Sequence, residues 1–290
     1  MWTAGAAALG MVAVLVLPGA EPASSETRPN GKIAFYTQRN PSPEIFLTNP
    51  SGSSQAGFLP PATGYFPSFS PSGRRIAYQS SPGNAEIVVM RANGEDRETI
   101  TNEEGAYSPS FGKGRIAYTT EFKTSDEIVL IKPNGTGRRR LTENARDENN
   151  VKFTPDGKRL IYMAQTAEGN ELFSLRIRTG RSKRLTHSEG HEFEVAVSPS
   201  GRRIAFDRLL PGGGNYEIYI ARIDGTHARR LTTFSGFDAY PSFSPNGRKL
   251  AFVTSREGDE DIAVMKLRTR AIDTIVSAGA DVGPSWGVRR

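Results

Sequence analysis

One phrase recurs along this chain at near-constant spacing, and its last copy is divided between the two ends. Full copies read Pro67-Ser-Phe-Ser-Pro-Ser-Gly-Arg-Arg-Ile-Ala-Tyr78 and Pro241-Ser-Phe-Ser-Pro-Asn-Gly-Arg-Lys-Leu-Ala-Phe252. Weaker copies begin at Pro109, Val151 and Val195. Near the C-terminus stands Pro284-Ser285-Trp286-Gly287, the first half of the phrase, while Gly31 to Tyr36 supplies the second half near the N-terminus. A repeat divided in this way is what a closed ring gives when its chain is opened at one blade.

Aligned on the small residue of the phrase, the copies fall at Ala34, Ala77, Ala117, Ile161, Ala205 and Ala251. A period of about 40–45 residues made of strands and turns is that of a β-propeller blade, and it excludes the shorter helical repeats. Each period carries four strand signals. The first is the Pro-Ser-Phe type of run, closed by a Ser-Pro-x-Gly turn. The second is the apolar Ile-Ala-Tyr/Phe triplet of a sheet covered on both faces. The third opens on an acid (Glu44, Glu86, Glu127, Glu171, Glu217, Asp261) and ends at a hairpin, of which Asn93-Gly94 and Asn134-Gly135 are the strongest signals. Recurrence of that acid in every blade points to structure, with pairing in the hairpin between strands two and three. The fourth is Arg-Leu-Thr or a relative, expected at Thr99–Thr101, Leu141-Thr142, Leu185-Thr186, Leu231-Thr232, Ile275-Val276 and, in the divided blade, Phe58-Leu59. The expected fold is all-β: a six-bladed β-propeller over residues 31–290, four antiparallel strands per blade, closed by the C-terminal strand joining the N-terminal blade.

Residues Ala4 to Leu17 are almost wholly apolar and are followed by small residues before Glu21. The run is short for a membrane span and suits a signal-peptide core, so residues 1–23 are expected to be a signal peptide or N-terminal anchor and 24–30 a linker. Export to the periplasm, envelope or exterior is the working expectation, with no membrane span in the mature form unless the segment is retained. The absence of cysteine excludes disulfides, thiolate metal sites and a cysteine nucleophile. The net charge of +6 comes from basic pairs spaced with the repeat, which read as solvated strand ends, so no nucleic-acid partner is expected.

The phrase, followed by Glu-Ile-Tyr/Val and Arg-Arg-Leu-Thr, closely resembles the WD-like repeat of TolB-type six-bladed propellers, over nearly everything after residue 30. The resemblance implies a propeller of the bacterial cell envelope whose activity is protein binding at its mouth. The type member carries an α/β domain ahead of the propeller, and the sequence here leaves only a short segment before the first strand, so contacts made through that domain do not carry over. The same repeat also occurs in exported peptidases and polysaccharide lyases. Fold follows from such repeats far more firmly than function.

Where the copies disagree is where function is expected. Ahead of the innermost strand stand Gly64, Ala106, Glu148, Glu192, Asp238 and Asp281, with Asp147 and Glu194 adding to the acidic arc. These carboxylates read either as caps on their own loops, the preferred reading, or as an acidic rim receiving a cation or basic segment. On the inner strand Ser68, Ser110, Lys152, Ala196, Ser242 and Ser285 share one position. Small residues there would keep a tunnel open and Lys152 would project a charge into it, or the position serves blade packing. The aromatics Tyr65, Phe66, Tyr107, Phe193 and Tyr240 complete the candidate contacts.

The candidate binding set is therefore Glu148, Glu192, Asp238, Asp281, Lys152, Tyr65, Tyr107, Phe193 and Tyr240, facing a protein or peptide partner of a monomer. No cofactor, catalytic residue or metal site is expected. His187 and His191 have metal-compatible spacing but lie in a loop, and Gly258–Asp261 is too short for a calcium loop. The alternative is a carbohydrate-active hydrolase or lyase using the mouth carboxylates.

Overall fold

The computed structural model describes residues 30–289 apart from positions 40, 59, 82, 84, 104, 124, 277 and 278. The expected signal segment lies outside the described residues. Strands β1 (Asn30–Thr37), β2 (Glu44–Thr48) and β3 (Gln55–Gly57) come first. Blade one is β4 (Gly64–Phe69), β5 (Arg75–Ser80), β6 (Ile87–Arg91) and β7 (Glu98–Thr99). Blade two is β8 (Ala106–Phe111), β9 (Ile116–Phe122), β10 (Ser125–Ile131) and β11 (Arg139–Arg140). Blade three is β12 (Glu148–Phe153), β13 (Arg159–Thr166), β14 (Gly169–Arg176) and β15 (Ser182–Arg184). Blade four is β16 (His191–Val197), β17 (Arg203–Leu209), β18 (Tyr216–Arg222) and β19 (Arg229–Arg230). Blade five is β20 (Asp238–Phe243), β21 (Lys249–Thr254), β22 (Asp261–Lys266) and β23 (Ile272–Val276). The sixth sheet has the order β24-β1-β2-β3, with β24 (Asp281–Val288) supplying its innermost strand.

Register makes the repeat physical. The phrase's small residue pairs with the inner-strand position in every blade: Ala77 with Ser68, Ala117 with Ser110, Ile161 with Lys152, Ala205 with Ala196, Ala251 with Ser242. In the divided blade Ala34 pairs with Ser285 and Ile33 with Trp286, so the two half-phrases rejoin as one hairpin-like pair. Trp286 Nε1 also donates to the Gly31 carbonyl at 3.2 Å. Ring closure removes the sheet edges that an open array would leave.

The aromatic that follows the small residue is buried in all six copies: Phe35, Tyr78, Tyr118, Tyr162, Phe206 and Phe252. Each sits between adjacent sheets, where burying a side chain of that size contributes about 2–3 kcal/mol. The turn of the phrase explains its Ser/Thr-Pro. Ser70, Thr154, Ser198 and Ser244 each accept, through the side-chain oxygen, the N–H of Arg75, Arg159, Arg203 and Lys249 across the turn, at 2.9–3.1 Å. The glycine of that turn adopts the left-handed conformation, as at Gly247 (φ 68°).

Two expectations about strands change. In blades two, three and four the fourth strand ends directly before Leu-Thr, at Arg140, Arg184 and Arg230, and the threonine leaves the ladder, whereas Ile275-Val276 of blade five lies in β23 as expected. The threonine hydroxyl instead accepts a third-strand N–H, Ile128 to Thr142, Leu172 to Thr186 and Ile218 to Thr232, at 2.8–2.9 Å. In the divided blade the outer strand is Gln55–Gly57, ahead of the expected Phe58-Leu59; position 59 lies outside the described residues. The recurring third-strand acid also pairs elsewhere than expected. Glu127, Glu171 and Glu217 are buried and ion-paired with Arg140, Arg184 and Arg230 of the fourth strand. The arginine of Arg-Leu-Thr is thus the partner of that acid.

Candidate functional site

The six inner strands enclose an axial cavity of about 220 Å³ lined by Ser68, Ser110, Lys152, Ala196, Ser242 and Ser285. The serines do two jobs. Each faces the channel and accepts an N–H from the inner strand of the next blade: Phe111 to Ser68, Phe153 to Ser110, Trp286 to Ser242 and Phe69 to Ser285, at 3.0–3.3 Å. Four of the six seams are stitched this way. Lys152 and Ala196 take the serine position at the two seams that flank blade four.

Blade four is where charge replaces hydroxyl. Lys152 Nζ lies 3.7 Å from Glu194 Oε2, and the two side chains are 32% and 13% exposed, so the pair is half withdrawn from water. Behind it stands Asp207 on β17, at a position held by Tyr36, Gln79, Thr119, Met163 and Val253 in the other blades. Asp207 is buried and accepts the N–H of Glu194 through one oxygen and that of Tyr240 through the other, both at 2.9 Å. Burial, and then the nearby Glu194 charge, push its carboxyl up to about 7 against the pull of those amides. Burial likewise raises Glu194, offset by Lys152.

Around the same mouth runs a belt of rings. His191 stacks on Phe193, which meets Tyr216, then Phe237, Tyr240, Phe66, and finally Tyr36 and Tyr65, with neighbouring centroids 5.2–6.5 Å apart. The belt crosses blades four, five, six and one. Two members hold backbone conformations rare for their type: Phe66 (φ 49°) and Tyr240 (φ 55°) sit at the bulge that interrupts each inner strand. The conformation belongs to the bulge itself, since Ser108 (φ 51°), Asn150 (φ 57°) and Gly283 (φ 64°) share it at the aligned position of other blades.

The mouth carboxylates are buried at the starts of their inner strands. Glu192 is buried against Ser188, Thr186 and Arg208, Asp238 against Thr254 and Arg256, Asp281 against Arg39, and Glu148 against Asn144. Each also faces the third-strand acid of the preceding blade. Burial and the Glu171 charge push Glu192 up to about 7, while bonds from Thr186 and Arg184 overcome burial to hold Glu171 low. Asp238 is raised to about 6 by burial, with Glu217 adding to it. Asp261 reaches about 6 through burial and Asp281.

No family model matches the chain. A stretch of 121 residues is 27% identical to a protein TolB homolog of Chlorobium luteolum, covering 40% of this chain and 27% of that protein. Another of 115 residues is 30% identical to dipeptidyl-peptidase 5 of Porphyromonas endodontalis, covering 36% and 16%. The aligned part is less than a third of either relative's length. The crystal structure of TolB from Acinetobacter baumannii superposes with a TM-score of 0.78 at 24% identity, covering 89% of this chain and 66% of that one. The chain is a TolB-like six-bladed β-propeller.

On this TolB-like propeller the expected contact residues divide into three groups. Lys152, Tyr240, Tyr65 and Phe193 lie in the channel or the belt. Tyr107 is on blade two, apart from the belt, and bonds Asp126. Glu148, Glu192, Asp238 and Asp281 are buried, and their bonds to neighbouring side chains answer more to a structural role than to an open rim. Asp207, Tyr216, Phe237 and Tyr36 were not singled out from sequence. Asp207 had a readable signal, a carboxylate in the apolar strand-two triplet's next position. Tyr216 flanks a loop longer than its counterparts, and Phe237 falls where Asp147 and His191 stand in other blades, so neither gave one. His191 accepts from Asn170 N through Nδ1, and no cluster of three or more metal-ligating side chains occurs among the described residues.

Proposed function

We propose that this TolB-like propeller is an exported, non-catalytic module that holds a protein or peptide segment at its mouth, in the bacterial cell envelope or outside the cell. One observation carries the reading. The six-fold pattern is broken on one side only, and there an aromatic belt leads to a half-buried Lys152–Glu194 pair and the buried Asp207. Rigid aromatic surface around a concave, partly charged centre is the composition of a binding hot spot rather than of a blade. The relatives named for TolB and the TolB fold support a protein partner. The apolar run near the N-terminus supports export.

The test is capture of binders from an envelope fraction on the immobilised chain, repeated with Tyr240→Ala and Phe193→Ala. Retention should fall at least about thirtyfold for a belt residue acting as a hot spot. A binder held equally by wild type and both variants would remove the mouth from the proposal.

A second reading has a specific observation behind it. Asp207 and Glu194 are neighbouring carboxyls raised by burial, the second of them paired with Lys152, which is the kind of arrangement that acid–base chemistry exploits. It would make the channel wall, and not Glu192 or Asp238, the reactive site of a carbohydrate-active enzyme. Turnover of a glycan panel that is lost in Glu194→Gln would replace the binding reading with this one.

A further inference from the structure

The four strands of each blade run antiparallel, so two kinds of turn emerge on the face away from the mouth: the one joining the first strand to the second, and the one joining the third to the fourth. Charge is divided between the faces. Counting turns with their flanking strand ends, the far face has about five Lys or Arg for every Asp or Glu, and the mouth face about three acids for every cation. The modest net charge of +6 therefore hides two large opposite charges at the two ends of the ring axis.

Repetition accounts for only half of the basic face. The first turns repeat their pairs, as at Arg74-Arg75 and Arg202-Arg203, and these alone would be solvated strand ends. The second turns do not repeat. The divided blade has no charge between Thr48 and Gln55, whereas blade three places Arg176, Arg178, Arg181 and Lys183 there. The two sets meet between blades two and three in a groove of about 830 Å³ whose wall includes Arg115, Arg139, Lys158, Arg159, Arg176 and Arg178. Its one carboxylate, Asp156, is turned onto the Thr154 hydroxyl at 2.6 Å and the Lys158 N–H at 3.0 Å. Among the described residues none of these six cations is ion-paired with a carboxylate. All six are exposed, and Asp156, which feels the charges of Lys158 and Arg159, is the one carboxylate set against them.

We propose that this basic face docks on an anionic lipid bilayer, with the groove between blades two and three as its densest contact, leaving the acidic aromatic mouth turned outward. Two features favour a membrane over a linear polyanion. The cations are spread over turns of five blades rather than along one track, which suits a plane of phosphate groups. The chain also joins the propeller on this side: Asn30, the first residue of β1, accepts the N–H of Asn246 in the far-face turn of blade five, so the apolar run at residues 4–17 is connected to the basic face. Polybasic surfaces bind such bilayers additively per charge, and the attraction fades beyond a Debye length.

The experiment is co-sedimentation of the full chain with phosphatidylglycerol/phosphatidylcholine vesicles and with pure phosphatidylcholine vesicles. Binding is expected to the first only, and to be lost at high salt. Arg115→Glu, Arg159→Glu and Arg178→Glu combined should weaken it about tenfold or more. A second triple variant on other blades, Arg202→Glu, Arg222→Glu and Arg268→Glu, should act in the same direction, which keeps the test valid if the first fails to fold by thermal melting. Equal binding to both vesicle types would assign the attachment to the apolar run and overturn the proposal. So would binding unchanged in either folded variant, no binding at all, or retention by a single-stranded nucleic acid in preference to the vesicles at the same salt.

Discussion

Phe66 and Tyr240 stack with their ring centroids 6.4 Å apart although they belong to blades one and five. They meet because the aligned residue of the intervening blade is Gly283, at φ 64°. A Cβ there would stand 3.1 Å from Tyr36 Cε1 and 3.6 Å from Phe66 Cδ1. The belt is continuous across blade six because the inner strand of that blade contributes no side chain at this point, and Tyr36 of β1 packs edge-on against Phe66 beside the gap.

Gly283→Val should therefore part the Tyr36–Phe66–Tyr240 cluster. Both the left-handed backbone and the ring contact oppose the substitution, and a cost of about 2–3 kcal/mol is expected. Urea unfolding followed by tyrosine fluorescence measures the loss, and the same variant should weaken any ligand of the mouth.

Removing residues 281–290 should open the ring. The truncation deletes the inner strand of the divided blade together with the stitches Trp286 to Ser242 and Phe69 to Ser285. It leaves the Asn30–Thr37 strand unpaired along one edge. Light scattering should report self-association of the truncated chain under conditions where the full chain stays dispersed.

Stability should fall as pH rises from 5 to 7.5. Glu192 is raised to about 7 and Asp238 to about 6, so in this window the folded chain holds protons that the unfolded chain has released. Unfolding then becomes easier with rising pH, by on the order of 2 kcal/mol. Asp207, raised to about 7, and Asp261, raised to about 6, act in the same direction. Glu192→Gln removes one of these groups, and its melting temperature should vary less between those pH values than that of wild type.

Ala196→Ser should supply a missing stitch. In the register of the ring its hydroxyl would face Phe243 N–H as Ser242 faces that of Trp286. A gain of up to about 1 kcal/mol is expected, and Ser68→Ala should lose a similar amount by removing the bond from Phe111 N–H. Chemical denaturation of the two variants checks both signs.

The ring, its six blades and the strand that closes it could be read from the phrase because every blade must solve the same packing problem. Ala34 and Ser285 lie far apart in the chain, yet the divided phrase already placed them opposite each other. The shared inner-strand position with its lone lysine was equally legible. What the sequence hid was direction. Glu192 and Asp238 stand at loop ends where an exposed rim was conceivable, and only three-dimensional packing shows Arg208 and Arg256 folded back over them. Tyr216 was illegible for a related reason: it joins the belt through a loop longer than its counterparts, whereas Phe237 shares a column with Asp147 and His191, whose differing chemistry gave no hint of an aromatic contact.

The serine stitches make the ring mechanically uneven. Five blades have a hydroxyl fastening on at least one side, and blade four has none on either. It is held at those seams by groups that respond to their surroundings: the Lys152–Glu194 pair on one side and the bond from Tyr240 N–H to Asp207 on the other. A force or a solute that spreads the ring will find its give there first, beside the aromatic belt, while the rest of the wheel stays fastened.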